Sequence, residues 1–234
     1  MVDWGSYRAV LLDLDGVITP TASVHERAWA ALFEPWGFTA EDYLTHVDGK
    51  PRYDGVRAFL ASRGVELPDG VPGDPPGDAT VAALGNRKDA LFRELLERDG
   101  VAPYPGTMAV LEVLDRHGIP QAVVSSSRNA RPVLRAAGLG DRFPHVVDGV
   151  TLDEEHLPGK PAPDMFLRAA ELVGVDPADA VVVEDASSGV AAGAAGGFGL
   201  VLGVDRGGNR EALLDSGADL VVEDLGETLE EEAQ

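Results

Sequence analysis

The chain has 234 residues, with 19 Lys+Arg against 40 Asp+Glu and a formal net charge of −21. That balance excludes a nucleic-acid binder, whose affinity rests on cationic contacts to phosphate, and a protein that docks on anionic lipid. A hydrophobic content of 44% with no Cys marks a globular chain with ample core, and excludes disulfides, zinc–thiolate sites and a cysteine nucleophile.

Taken along the chain, residues 8–14 (RAVLLDL) form a short apolar run ending in acids and predict a buried strand. Residues 22–100 then break the strand rhythm. Stretches 23–33, 53–62 and 81–98 predict helices, the first stopped at Pro35, and residues 68–78 (PDGVPGDPPGD) predict a loop. At residues 103–106 (PYPG) the chain returns to an alternating pattern. A helix over 106–117 carries Met108, Leu111 and Leu114 at helical spacing and stops at Gly118. A strand at 121–125 (QAVVS), a helix at 129–137, a weaker strand at 145–148 (HVVD) and a helix at 164–173 follow. Strands at 180–184 (AVVVE), 199–203 (GLVLG) and 219–222 (DLVV) complete the pattern, and an acidic tail, 227–234, is expected to fray.

Strand–helix alternation with near-continuous apolar strands predicts an α/β fold, a Rossmann-like parallel sheet covered on both faces. A helical insert interrupts it after the first strand. The predicted division is 1–20 plus 103–234 for the α/β core and 21–102 for the helical cap. No apolar stretch reaches the roughly 18–20 residues that span a bilayer; the longest, 190–204, is broken by glycines. Residues 1–8 lack the basic stretch and apolar run of a secretory signal, so the cytoplasm is the expected location.

Four short motifs carry the chemistry. Asp13 and Asp15, in D-L-D-G, stand at the end of the first strand, where open α/β sheets bind ligands. Their alternation sends both carboxylates to one side, and like charges this close repel unless a cation relieves them. Gly16 allows a sharp turn there. Ser125, Ser126 and Ser127 follow the second core strand and offer hydroxyl and N–H groups to a phosphate. Lys160 lies between Gly159 and Pro161 before a helix, and Glu184 with Asp185 ends another buried strand. Each has a plain structural reading alone: an acidic turn, a serine-rich loop, a surface lysine, a strand terminator. All four in this order, at strand ends or a helix start, are hard to explain by chance.

This set resembles the haloacid dehalogenase (HAD) superfamily of phosphatases and phosphomutases, and most of all its β-phosphoglucomutase-like branch with a small helical cap, over essentially the whole chain. The resemblance implies that Asp13 is a nucleophile forming an aspartyl-phosphate and Asp15 the general acid–base. It implies that Ser125, Ser126 and Asn129 bind phosphate, that Lys160 neutralises charge, and that Asp13, Asp15, Glu184 and Asp185 form the metal site. Mg²⁺ is the implied cofactor, since hard oxygen ligands meet a phosphoryl group. In the cap, Thr21 and His25 match residues that support the acid–base, and Arg52, helped by Lys50, matches the arginine gripping a distal anionic group. His25 follows Thr21 by four residues; the alternative for it is an ordinary helix-surface histidine. Asn86, Arg87 and Lys88 read as a solvated helix face.

The chain departs from the mutases at Asp48, where a lysine is usual, at Pro20, at Ser126 and in the loop 68–78. The expected function is therefore phosphoryl transfer on a small sugar phosphate, β-phosphoglucomutase-like. The alternative is a sugar-phosphate phosphatase, and a further one a non-catalytic binding module on the same scaffold. The expected partner is a small phosphorylated metabolite, with no nucleic acid, no membrane and a monomeric state.

Overall fold

The structure, a computed structural model, describes residues 1–47, 50 and 52–229. The chain forms two compact units: Met1–Pro20 with the chain from Val101 onward, and Thr21–Gly100. The first unit opens with β1 (Ala9–Leu12), all four residues of which are buried. The chain then leaves it for the helical unit.

That second unit holds α1 (Ala22–Phe33), a single turn α2 (Ala40–Asp42), α3 (Arg52–Ser62) and α4 (Val81–Asp99). A π-helical turn, Tyr43–Val47, follows α2. Its core is aromatic: Phe33 stacks on Phe59 with ring centroids 4.1 Å apart, and Trp29, Val56, Leu60 and Leu84 pack around them. The start of α4 is fixed by Thr80, whose Oγ1 accepts the Ala83 N–H at 2.9 Å. The loop 68–78 is tethered to the same helix. Asn86 Nδ2 donates to the Pro72 and Asp74 carbonyls at 3.1 and 2.8 Å, and Thr80 Oγ1 donates to Asp74 Oδ2 at 2.7 Å.

Back in the first unit come α5 (Pro105–Arg116), β2 (Gln121–Val124), α6 (Ala130–Ala136), β3 (His145–Val147), α7 (Gly149–Glu155) and α8 (Asp164–Val173). They are followed by β4 (Ala180–Glu184), α9 (Ser187–Ala195), β5 (Leu200–Val204), α10 (Arg210–Asp215) and β6 (Leu220–Val222). All strand pairs are parallel, in the order β3-β2-β1-β4-β5-β6. Parallel strands buried on both faces need apolar residues throughout, which is why the sequence shows runs rather than alternation. The order reverses between β1 and β4. In open α/β sheets this switch point opens a crevice at the carboxyl ends of the strands.

The predicted strands and long helices lie where their periodicity placed them, within two residues at each end. Four of the described helices had no such signal, the single turn α2 among them. α7 is set by an Asp148 cap, whose Oδ1 accepts from the Val150 and Thr151 amides at 3.0 and 3.1 Å. α9 reads SSGVAAGAA, with too few large apolar residues to show a period; the apolar run 190–204 divides into its end and β5. α10 is two turns long. Among the described residues no helix is long and apolar enough to cross a membrane.

Candidate active site

Register brings the acids together. Leu12 pairs with Val183 across β1 and β4 and with Val123 across β1 and β2, so the next residues, Asp13, Glu184 and Val124, meet at one level. The Asp13 N–H donates to the Val183 carbonyl at 2.9 Å, fixing the first acid beside the end of β4. Carboxylate oxygens of Asp13, Glu184 and Asp185 lie within 4.8 Å of one another.

Lys160 enters this cluster from the segment before α8. Its Nζ is 2.5 Å from both Asp13 Oδ1 and Glu184 Oε1 and donates to the Val124 carbonyl at 3.3 Å. The reading of a surface lysine is thereby removed: the side chain is 6% exposed. The second oxygen of Glu184 accepts the Ala186 N–H at 2.8 Å.

Asp15 is turned elsewhere. Its Oδ2 accepts from Ser125 Oγ at 3.4 Å, and its carboxylate stands outside the three-acid grouping, although the sequence placed it among the metal ligands. The reason is the turn. The Gly16 N–H donates to the Thr19 carbonyl at 2.8 Å with Gly16 at φ +88°, so Asp15 has left the strand pleat on which alternation rests. Gly16 is also required sterically, since a Cβ there would lie 1.7 Å from Asp185 Oδ2.

The serine turn is organised by its own hydroxyls. Ser125, buried at the end of β2, accepts the Ser127 N–H on its Oγ at 3.1 Å, and Ser127 Oγ accepts the Asn129 N–H at 3.1 Å. Ser126 is exposed and Asn129 is buried. Gly149, first residue of α7, permits the close approach of this turn, because a Cβ there would sit 2.7 Å from the Ser126 carbonyl.

The electrostatics follow from burial. Asp13 is raised well above the usual carboxylate range, chiefly by burial; Lys160 opposes this, and Glu184, Asp15 and Asp185 add to it. Asp185 is pushed up to about 8 by burial, then by Glu184 and Asp15. Lys160 loses solvation, but Asp13 and Glu184 more than compensate and hold it charged. Ionised together, Asp13, Glu184 and Asp185 would carry more negative charge than Lys160 balances, which is why the protonated forms of Asp13 and Asp185 are favoured. A donor set of carboxylate oxygens alone, with that surplus, fits a hard divalent cation held by Asp13, Glu184 and Asp185.

The cap candidates belong to the helical unit. Thr21 is buried and its carbonyl accepts the Val24 and His25 amides, each at 3.0 Å. His25 stacks on Phe92 with centroids 4.2 Å apart, and its Nδ1 is 2.5 Å from Lys88 Nζ. An ammonium has only donors, so Nδ1 is the acceptor and the ring is neutral. Burial and Lys88 together hold His25 well below 6.5. Arg52 is 3.1 Å from Asp89 Oδ1, and Lys50 Nζ donates to the Thr45 carbonyl at 3.2 Å. Asp48 lies outside the described residues. One expectation fails here: Lys88 is buried rather than solvated, within about 5.1 Å of the Trp29 and Phe92 ring centroids. It falls on the same α4 stripe as Leu84, Phe92 and Leu96, a period visible in the sequence.

Residues 7–197 match the family model described as haloacid dehalogenase-like hydrolase. A β-phosphoglucomutase of Mycobacterium bovis is 52% identical over 240 residues, covering 95% of this chain and 91% of the relative. Hexitol phosphatase A of Escherichia coli is 32% identical over 196 residues, covering 81% of this chain and 80% of the relative. The crystal structure of β-phosphoglucomutase from Clostridium difficile superposes with a TM-score of 0.75, covering 95% and 93% of the two chains at 24% identity, which speaks for the fold.

Proposed function

The chain belongs to the haloacid dehalogenase-like hydrolase family and is an enzyme of it, and on that footing we propose that it isomerises a small sugar phosphate in the manner of a β-phosphoglucomutase, through an aspartyl-phosphate. The observation that carries this reading is the 52% identity along 95% of the chain to a protein of that name. Membership sets aside the non-catalytic module.

Asp13 is the nucleophile in this reading. One of its carboxylate oxygens bonds to phosphorus as the ester P–O bond breaks, and Asp15 gives its proton to the departing sugar oxygen. Ser125 sits beside Asp15 and, with the backbone of Ser126 and with Asn129, supplies donors for phosphoryl oxygens. In the second half a sugar hydroxyl passes its proton to Asp15 and attacks phosphorus, restoring Asp13. Lys160, held charged against Asp13 and Glu184, offsets the repulsion between a carboxylate and an anionic phosphate. We assign Mg²⁺ to Asp13, Glu184 and Asp185; when bound it supplies charge neutralisation and orientation for in-line transfer. Thr21, His25, Lys50 and Arg52 remain part of the proposal by resemblance, with Arg52 having to exchange Asp89 for an anionic group of the substrate.

A second reading is favoured by the 32% identity to a hexitol phosphatase: the same first half, with water as the acceptor. Phosphorus NMR of β-glucose 1-phosphate with Mg²⁺ and a trace of the bisphosphate separates them. Glucose 6-phosphate is the expected product; inorganic phosphate alone would replace the mutase reading by the phosphatase.

A further inference from the structure

The segment after β5, residues 205–209 (DRGGN), holds the backbones of both acidic turns. It is itself rigidly tied. Asp205 Oδ1 accepts the amides of Gly207, Gly208 and Asn209 at 3.2, 2.6 and 2.9 Å. The Asp205 N–H donates to the Val222 carbonyl at 2.7 Å, so the segment is anchored on the neighbouring strand β6.

Two side chains reach out from this anchor. Arg206 Nε donates to the Gly16 carbonyl at 2.7 Å, and Asn209 Nδ2 donates to the Asp185 carbonyl at 2.9 Å. Gly16 belongs to the turn of Asp13 and Asp15, and Asp185 to the turn of Glu184. Arg206 is fixed from its other sides too. Nη1 donates to the Glu223 carbonyl at 3.0 Å and lies 3.6 Å from Asp224 Oδ2, and the guanidinium carbon sits 3.6 Å from the Tyr104 ring centroid.

The two turns carry like charges and touch: there is no space between Gly16 and the Asp185 carboxylate even for one methyl group. Repulsion between them favours separation, and a small change in their spacing changes how three carboxylates converge on one ion. We propose that Arg206 and Asn209 are positioning residues, which hold the two acidic turns at the separation that binds the divalent cation. Neither is placed as a ligand; each acts through a carbonyl of the turn it holds. The proposal rests on the assignment of Mg²⁺ to Asp13, Glu184 and Asp185.

Calorimetric titration of the full chain with MgCl₂, without substrate, tests it. Arg206→Met keeps an unbranched stem and removes the guanidinium with its donors; Asn209→Ala removes one donor from a half-buried loop residue. Each is expected to weaken Mg²⁺ by about tenfold or more, the range in which outer partners of metal ligands act. Far-UV circular dichroism should stay unchanged. Arg206→Lys, which restores one donor and the charge, is expected to recover part of the loss. Arg168→Ala, which breaks a surface pair with Glu155 and Glu171, should leave the affinity within about twofold of wild type. A folded Asn209→Ala or Arg206→Met chain that binds Mg²⁺ like wild type overturns the clamp. Should Arg206→Met not fold, Asn209→Ala decides alone. Absence of Mg²⁺ binding to the wild-type chain overturns the metal assignment itself.

Discussion

In the proposed reaction Asp13 is the nucleophile, yet it is buried beside Glu184, Asp185 and Asp15, a setting that favours its protonated and unreactive form. Lys160 opposes this without overcoming it, so the active form depends on further positive charge. Asp13→Asn keeps the shape and removes the nucleophile. We expect turnover of any phosphate ester to fall to background in a folded chain, read by phosphate release and by phosphorus NMR. The same cluster sets a pH dependence. Asp185 titrates near 8 when folded against 3.8 for the free side chain, so its protonated form stabilises the folded chain and that contribution is lost as pH rises from about 4 to 8. His25 works the other way, since a depressed value makes stability rise with pH until it is complete just above 6.5. Between pH 7 and 8 the melting temperature of the metal-free chain should therefore fall, and the rise given by Mg²⁺ should grow. A flat profile over that interval would remove the buried-carboxylate account. The acids of the cluster were legible because each stands at a strand end, where short apolar runs announce it. Lys88 was legible also, as a cation on an apolar stripe, and was misread because charge outweighed periodicity.

Helix α9 shows what an element without a period does. Its glycines pack against what surrounds them: Gly193 lies where a Cβ would be 3.1–3.2 Å from Val182 and Val201 methyls. Gly189 is the sharper case, for a Cβ would be 1.7 Å from Glu184 Oε1 and 2.6 Å from its Cγ. Alanine is better than glycine in a helix by about 1 kcal/mol. Here that gain competes with displacement of a buried carboxylate bonded to Lys160 and the Ala186 N–H, and each charge-assisted bond is worth roughly 1.5–3 kcal/mol. The displacement wins. Gly189→Ala should destabilise by about 1–3 kcal/mol in denaturant unfolding and weaken Mg²⁺ in the same titration. A more stable variant with unchanged metal affinity would show that Glu184 moves freely. Strands and long helices were readable because burial imposes a period on their composition. α7, α9 and α10 were not, because a cap, a stripe of small residues and a two-turn length leave no period to read.

At the scale of the molecule the surplus of acids governs. Many arginines are already engaged, as in Arg57 with Asp54 and Asp69 or Arg142 with Asp115, and exposed pairs of this kind contribute about 0–1 kcal/mol each. Self-repulsion from a net charge of −21 outweighs them. Raising NaCl from about 20 to 200 mM, which shortens the screening length to below roughly 10 Å, should raise the melting temperature. A gain of about 1 kcal/mol reads as roughly 2–4 °C in a chain of this size; a fall would mean that the ion pairs dominate. The sequence by itself determined the class of fold and the chemistry of the core site, because both are written in local patterns: apolar runs, a helical insert, and acids, serines and a lysine at element ends. Only the tertiary structure decided which acids converge, that Asp15 turns to Ser125, and that Arg206 reaches Gly16 across 190 positions of chain. Those contacts depend on strand order and register, which bring together residues that no local pattern connects.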